Sequence, residues 1–193
     1  MPRLKRSFFA RPALEVSRNL LGKCLLRKIG KKILWGKIVE TEAYIGPRDR
    51  ASHAFLGKVT PRNRAEFMKG GHVYIYLVYG MYWQLNISTG RERSPECVLL
   101  RALEPIQLRN QNTVALKHIA NGPGKLCRWL RLDKSFYAED LTTSKRLWVV
   151  DCGFGVTPLE IGISSRIGID YAGPEWAGKP WRFFIKKSPF VSR

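Results

Sequence analysis

Residues 72–89 read HVYIYLVYGMYWQLNIST. Tyrosines and β-branched residues fill both halves of this stretch, and such side chains favour extended backbone. Two strands are expected, at 72–79 and 82–89, joined by a turn at Gly80-Met81. From Gly70 to Gly90 the chain carries no Lys, Arg, Asp or Glu over 21 residues. A spanning helix needs roughly that length, but His72, Gln84, Asn86 and the glycines make this a poor one, and no membrane segment is expected.

Moving outward, further strands are expected at 33–44, 97–103, 146–152, 160–169 and 181–187. Leu14, Leu20 and Leu21 recur near helical spacing in residues 14–23, with Gly22 as a stop signal. Pro105 is suited to open a second helix running to Ala120, and the Gly/Pro turn at 121–124 leads into a short amphipathic helix ending near Leu132. Residues 45–70, rich in Gly, Pro and charge, read as a long surface loop or short helices. Strands interspersed with helices, without regular βαβ alternation, imply a mixed α+β fold rather than a doubly wound sheet. At 193 residues and 45% apolar content, one domain over 1–193 with its own core is expected.

Lys and Arg number 34 against 15 acids, a net charge of +19. Small domains usually carry about 2–8 charges in magnitude, so a polyanion is the expected partner, nucleic acid before an anionic membrane surface. Cys24, Cys97, Cys127 and Cys152 form no CxxC pattern, so no metal is expected. A core of this size needs no disulfide, and free thiols in a reducing, intracellular compartment are the expectation. The basic N-terminus lacks the apolar run of a secretory signal. Neither GxGxxG nor GxxxxGK[ST] occurs, so no nucleotide cofactor is implied.

The strand IVETEAY, 38–44, carries the first candidate chemistry. Period-2 geometry places Glu40, Glu42 and Tyr44 on one face. Two readings stay open: an edge strand whose polar face meets water, or a pocket in which one carboxylate is a general base beside an aromatic wall. Arg101 lies inside the apolar run CVLLRAL and requires a buried partner, for which a carboxylate of 38–44 is the natural choice. Tyr79, Met81 and Tyr82 at a turn tip are costly to expose without a use, and in so basic a chain they suggest stacking on or wedging between bases. Asn86 and Gln84 place amides on one face, able to read purine edges. Arg48, Arg50, Lys58, Arg62, Arg64 and Lys69, opposed only by Asp49 and Glu66, are candidate phosphate contacts. So is the acid-free tail from Lys179 with Arg182, Lys186, Lys187 and Arg193.

IVETEAY (38–44), GPRDRASHA (46–54), TPRNRAEF (60–67), HVYIYLVYGMYWQLN (72–86), VLLRALEP (98–105), NGPGKLC (121–127) and KPWRFFIKKSPFVS (179–192) occur in this order along nearly the whole chain. Together they resemble the alkyladenine (3-methyladenine) DNA glycosylases. The resemblance implies a single α+β domain on a curved, mainly antiparallel sheet with flanking helices. It implies a monofunctional hydrolase without cofactor or metal. Its partner is duplex DNA containing damaged purines; it works as a monomer inside the cell, with the DNA of a bacterial cytoplasm or a nucleus. Glu42 falls on the general base, Arg101 on the arginine holding the attacking water, and the carbonyl of Ile167 on the third water partner. Tyr44 and Tyr76 match the aromatics that sandwich the flipped base, with His53 packed beside them and its amide donating to the base edge. Asn86 matches the amide that obstructs normal guanine. Tyr79 matches the wedge, with Met81 and Tyr82 on the same minor-groove turn.

Two positions depart from that pattern. Glu66 replaces a hydrophobic residue, and the stretch from Tyr171 to Trp176 carries one residue more. Neither is expected to touch the base pocket. Glu40 is the rival base, and Glu40→Gln is expected to retain most activity while Glu42→Gln loses excision. No lysine stands out for a lyase step, so hydrolysis alone is expected. The alternative is a non-catalytic basic nucleic-acid-binding module, which needs neither the carboxylate-bearing strand nor the pocket amide.

Overall fold

Thirteen residues, Lys32–Tyr44, form strand β2, the spine of the molecule. In the computed structural model, which describes residues 1–106, 116 and 118–192, β2 is paired along both sides. β5 (Cys97–Pro105) runs antiparallel along one edge. β1 (Cys24–Ile29) and β8 (Arg182–Ile185) share the other, β1 beside the first half and β8 beside Glu40, Thr41 and Glu42. Beyond β5 lie β4 (Tyr82–Ser88) and β3 (Val73–Val78); β6 (Leu147–Val150) flanks β1, and β7 (Ile161–Ser164) flanks β8. The register between β2 and β5 shifts between Ile38 and Glu40 and again between Glu40 and Thr41. Such bulges bend a strand and increase its twist, and the sheet curls into an antiparallel half-barrel.

The expected α+β class and curved antiparallel sheet are therefore found. The edge-strand reading of 38–44 is overturned: with neighbours on both sides, Ile38 through Ala43 are all buried. A strand buried on both faces cannot send its carboxylates to water, so Glu40 and Glu42 must find partners inside.

Helix α1 (Arg6–Phe9) precedes α2 (Ala13–Leu20), which buries Ala13, Val16, Ser17 and Leu20. That is the i, i+3, i+4, i+7 stripe of an amphipathic helix. The stripe packs against β2, where Thr41 Oγ1 donates to the Ser17 carbonyl at 2.9 Å. Glu96 accepts from the Ala13 amide at 2.7 Å and so places a carboxylate at the positive end of α2. Helix α3 (Pro123–Trp129) has Pro in its first turn and buries Leu126 and Cys127. The last helix, α4 (Pro174–Ala177), is one turn. One core cluster runs from Phe9 and Leu20 through Leu25, Ile38 and Leu100 to Phe183.

Several local expectations differ from what is seen. Cys24–Ile29 forms a strand that the sequence reading did not anticipate. Strand 160–169 shortens to β7, because Arg166 turns inward and Gly168 adopts a φ of 73°. Pro105 closes β5 rather than opening a helix, and most of the expected helix 105–120 lies outside the described residues. The expectation of four free thiols is corrected by a Cys24–Cys152 disulfide. Antiparallel pairing of Cys24 with Val150 brings two residues 128 apart in sequence to a Cα separation of 6.1 Å, within bridging range. Among the described residues no helix is long and apolar enough to cross a membrane.

Candidate active site

One face of the sheet opens on a cavity of about 410 Å³, a volume in the range of small-molecule sites. Its walls include Tyr44 from β2, Tyr76 from β3, Asn86 and Gln84 from β4, and Arg101 from β5. Ile167 from the turn after β7 and His53 from the 45–70 segment complete the set gathered from distant parts of the chain.

Behind this wall lies Glu42, fully buried. Its Oε1 is 3.2 Å from Arg101 Nη1 and accepts from the Ile167 amide at 2.8 Å; Oε2 accepts from the Tyr44 hydroxyl at 2.9 Å. All three partners line the cavity, although Glu42 itself does not. Burial pushes the Glu42 carboxyl above its ordinary range, and Arg101, the Ile167 amide and Tyr44 only partly oppose this. Burial also works against the charge on Arg101, but Glu42 and Glu40 outweigh it and its pKa is raised. Burial beside Glu42 keeps the Tyr44 phenol protonated, hence a donor.

Arg101 thus meets the carboxylates that its place in an apolar strand demanded. Its Nε donates to Glu40 Oε1 at 3.0 Å. Glu40 also accepts from Arg182 Nε at 2.7 Å, from the Ser192 amide at 2.6 Å and from Ser192 Oγ at 2.7 Å. The two carboxylates therefore differ: Glu40 is saturated by the C-terminal segment, whereas the partners of the Glu42 carboxyl among the described residues all line the cavity. Arg182, expected to be a free cation of the basic tail, is spent inside.

The sequence reading missed a supporting pair. Arg166 Nη1 and Nη2 meet Asp49 Oδ2 and Oδ1 at 2.5 and 2.9 Å, both side chains fully buried, and Arg166 Nη1 also donates to the Ala43 carbonyl at 3.0 Å. The guanidinium lies 4.7 Å from the centre of the Tyr44 ring. This fixes Tyr44 and ties the Ile167 turn to the 45–70 segment. Only an arginine in SSRIGID and an aspartate among arginines hinted at it.

Tyr76 packs edge-on to His53 at 4.7 Å, and His53 Nδ1 lies 2.6 Å from the Tyr74 hydroxyl. Burial against these rings, then the charge of Arg62, lowers the His53 pKa and favours the neutral ring. Asn63 Nδ2 donates to the His53 carbonyl at 3.0 Å and holds that backbone in place. Asn86 is buried, with its Nδ2 3.3 Å from the Gln84 carbonyl. Arg62, grouped in the sequence reading with the phosphate contacts, stands 4.8 Å from the Tyr76 ring centre and lines the cavity. Glu66 and Tyr171, expected to lie away from the pocket, both line it. The short 3-10 turn Arg64–Phe67 directs Glu66 inward against Cys97 of β5, whose thiol donates to Glu66 Oε1 at 3.3 Å.

At the mouth stands the β3–β4 hairpin. The turn is centred on Tyr79 and Gly80, one residue earlier than expected, with φ of 51° and 68° and a Met81 N–H to Val78 O bond of 3.1 Å. Positive φ at both central residues matches the twist of paired strands, but a tyrosine there is strained. Tyr79 is 86% exposed, Met81 66% and Tyr82 41%. In the 45–70 segment, Arg48, Arg50, Lys58, Arg62, Arg64 and Lys69 stay at the surface while Asp49 and Glu66, the acids among them, are buried. Among the described residues no three His, Cys, Asp or Glu converge as a metal site would require.

A relative from Methanocella arvoryzae with the provisional name 3-methyladenine DNA glycosylase is 46% identical over the whole chain and 97% of its own length. DNA-3-methyladenine glycosylase of Mus musculus is 44% identical over 98% of this chain and 61% of the mouse protein. The Homo sapiens protein of the same name is 40% identical over the whole chain and 68% of its own length. The family model of methylpurine-DNA glycosylases matches residues 7–189, and the chain belongs to that family.

Proposed function

We propose that residues 1–193 form one catalytic domain, a monomeric and monofunctional DNA glycosylase. It binds duplex DNA containing damaged purines and everts an alkylated or otherwise damaged purine into the cavity. It hydrolyses the N-glycosidic bond and leaves an abasic site, as a step of base excision repair inside the cell. The observation that carries this reading is the buried Glu42 carboxyl, whose partners among the described residues all line a tyrosine-walled cavity of about 410 Å³ beside an exposed aromatic hairpin tip. A non-catalytic basic module has no use for such a carboxyl, and the relatives named as glycosylases favour the enzyme.

The chemistry follows from the charges. A purine alkylated on a ring nitrogen is already cationic and leaves readily. The glycosidic bond from C1′ to the purine N9, not to the alkylated nitrogen, breaks with its electron pair on the base, and the deoxyribose becomes oxocarbenium-like. A water held by Glu42, Arg101 and the Ile167 carbonyl attacks C1′, and Glu42 takes its proton. The Glu42 charge also stabilises the sugar cation. Tyr44 and Tyr76 stack on the everted base, worth about 1–3 kcal/mol per base, and more when the base is a cation. Asn86 and the His53 amide read its edge. Tyr79, with Met81 and Tyr82, fills the gap left in the duplex, while the surface arginines and lysines hold phosphates.

Base release and abasic-site formation on methylated duplex DNA test the reading. The wild-type protein is expected to release alkylpurines and Glu42→Gln to bind the same duplex without releasing them. DNA binding without base release by the wild type would favour the binding-module alternative.

A further inference from the structure

Glu66 is a buried acid whose hydrogen bonding is incomplete. It is 1% exposed, lines the cavity and forms no ion pair among the described residues. Oε1 accepts from the Cys97 thiol, while Oε2 is buried without a hydrogen-bond partner among the described residues. The groups facing it are Cys97 on β5, Asn63 and Asp49 in the 45–70 segment, Tyr74 and Tyr76 on β3, and Tyr137. None of these is a cation. An unsatisfied buried carboxyl is costly. One placed in a ligand cavity beside Asn86, whose Oδ1 lies 3.9 Å from Cys97 Sγ, is a group whose partner arrives with the ligand.

We propose that Glu66 is a specificity-determining residue, which makes the pocket favour purine cations, alkylated on a ring nitrogen, over neutral purine lesions of similar size. This rests on the glycosylase reading above. Arg62 and Arg101 line the same cavity but neither pairs with Glu66 among the described residues; a cationic base supplies that countercharge, and its exocyclic amino group is a donor for Oε2. Burial pushes the carboxyl up to about 7, so the empty pocket tolerates the protonated form. An entering cation favours the ionised one, and the proton passes to solvent. A neutral lesion gains nothing from this exchange.

The test is single-turnover release of 7-methylguanine, a cation, and hypoxanthine, which is neutral, from matched duplexes by wild type, Glu66→Gln and Glu66→Met. Both variants are expected to slow 7-methylguanine release on the order of tenfold. Hypoxanthine release is expected to stay at or above the wild-type rate. The wild-type advantage on 7-methylguanine is expected to grow between about pH 6 and about pH 8, as the carboxyl ionises. A purely structural role lowers both substrates by one pH-independent factor, and that outcome, or no change at all, overturns the proposal. Wild-type protein that releases neither base fails the glycosylase reading itself, and this inference with it.

Discussion

The Tyr44 hydroxyl donates to Glu42 Oε2 at 2.9 Å, from a residue two positions along the same strand. The cavity wall thereby supplies one of the donors that favour the ionised carboxylate against the push of burial. Removing that hydroxyl while keeping the ring moves the Glu42 pKa further up. A general base works only when deprotonated, so the rate falls as pH drops through its pKa. The acid limb for wild type is expected above the ordinary glutamate value of 4.5, and higher still for Tyr44→Phe. A pH–rate profile under single turnover measures both. Superimposable limbs would remove Tyr44 from the tuning of Glu42.

Glu42→Gln is expected to lose roughly 10²–10⁴ in base release, the usual contribution of a positioned base, and to keep lesion binding. The structure revises the expectation for Glu40→Gln. Glu40 neutralises Arg101 and Arg182 deep in the fold, and breaking such buried pairs costs about 3–5 kcal/mol. Denaturant unfolding is expected to show that loss for Glu40→Gln. A variant as stable as wild type would show that Arg182 and Ser192 are not what occupies Glu40.

Tyr79 holds a left-handed backbone conformation at the hairpin tip. Tyr79→Gly relieves about 1 kcal/mol of strain and removes the exposed ring. The expected result is a small rise in melting temperature together with slower release from duplex DNA. Release unchanged in Tyr79→Gly argues against a wedge.

Burial raises the Glu66 pKa from 4.5 to about 7. A group whose pKa is raised on folding contributes stability fully below its unfolded value and loses it as pH rises through the folded one. Wild type is therefore expected to lose stability relative to Glu66→Gln between about pH 5 and about pH 8, by roughly 3 kcal/mol at most. Urea unfolding at several pH values checks this, and a pH-independent difference contradicts it.

The Cys24–Cys152 bond closes a loop across 128 positions between β1 and the chain just after β6. Its neighbours, among them Leu26, Val150, Trp148 and Phe154, belong to a cluster sharing no residue with the cavity wall. Replacing Cys24 by Ser is expected to lower stability by about 2–5 kcal/mol and to leave base release unchanged. Activity that falls in proportion to the unfolded fraction is consistent with this; a slowed folded enzyme is not.

The sequence by itself determined most of the strands, though not β1 or the end of β7, and the family pattern. Period-2 runs of tyrosine and β-branched residues mark β3 and β4, an apolar run marks β5, and the arginine inside that run announces a buried carboxylate partner. These features are legible because alternation and burial are properties of neighbouring residues. The tertiary structure alone decided which carboxylate is held by the cavity wall. Glu40 and Glu42 are indistinguishable by period, and their difference comes from Ser192 and Arg182, more than 140 residues away, reaching one and not the other. It decided likewise that Asp49 is buried on Arg166, that Cys24 meets Cys152, and that Glu66 turns into the pocket. Each of these depends on how the curled sheet brings distant segments of the chain together. Local spacing carries no record of that curvature, which arises from bulges in the central strand and the packing around them.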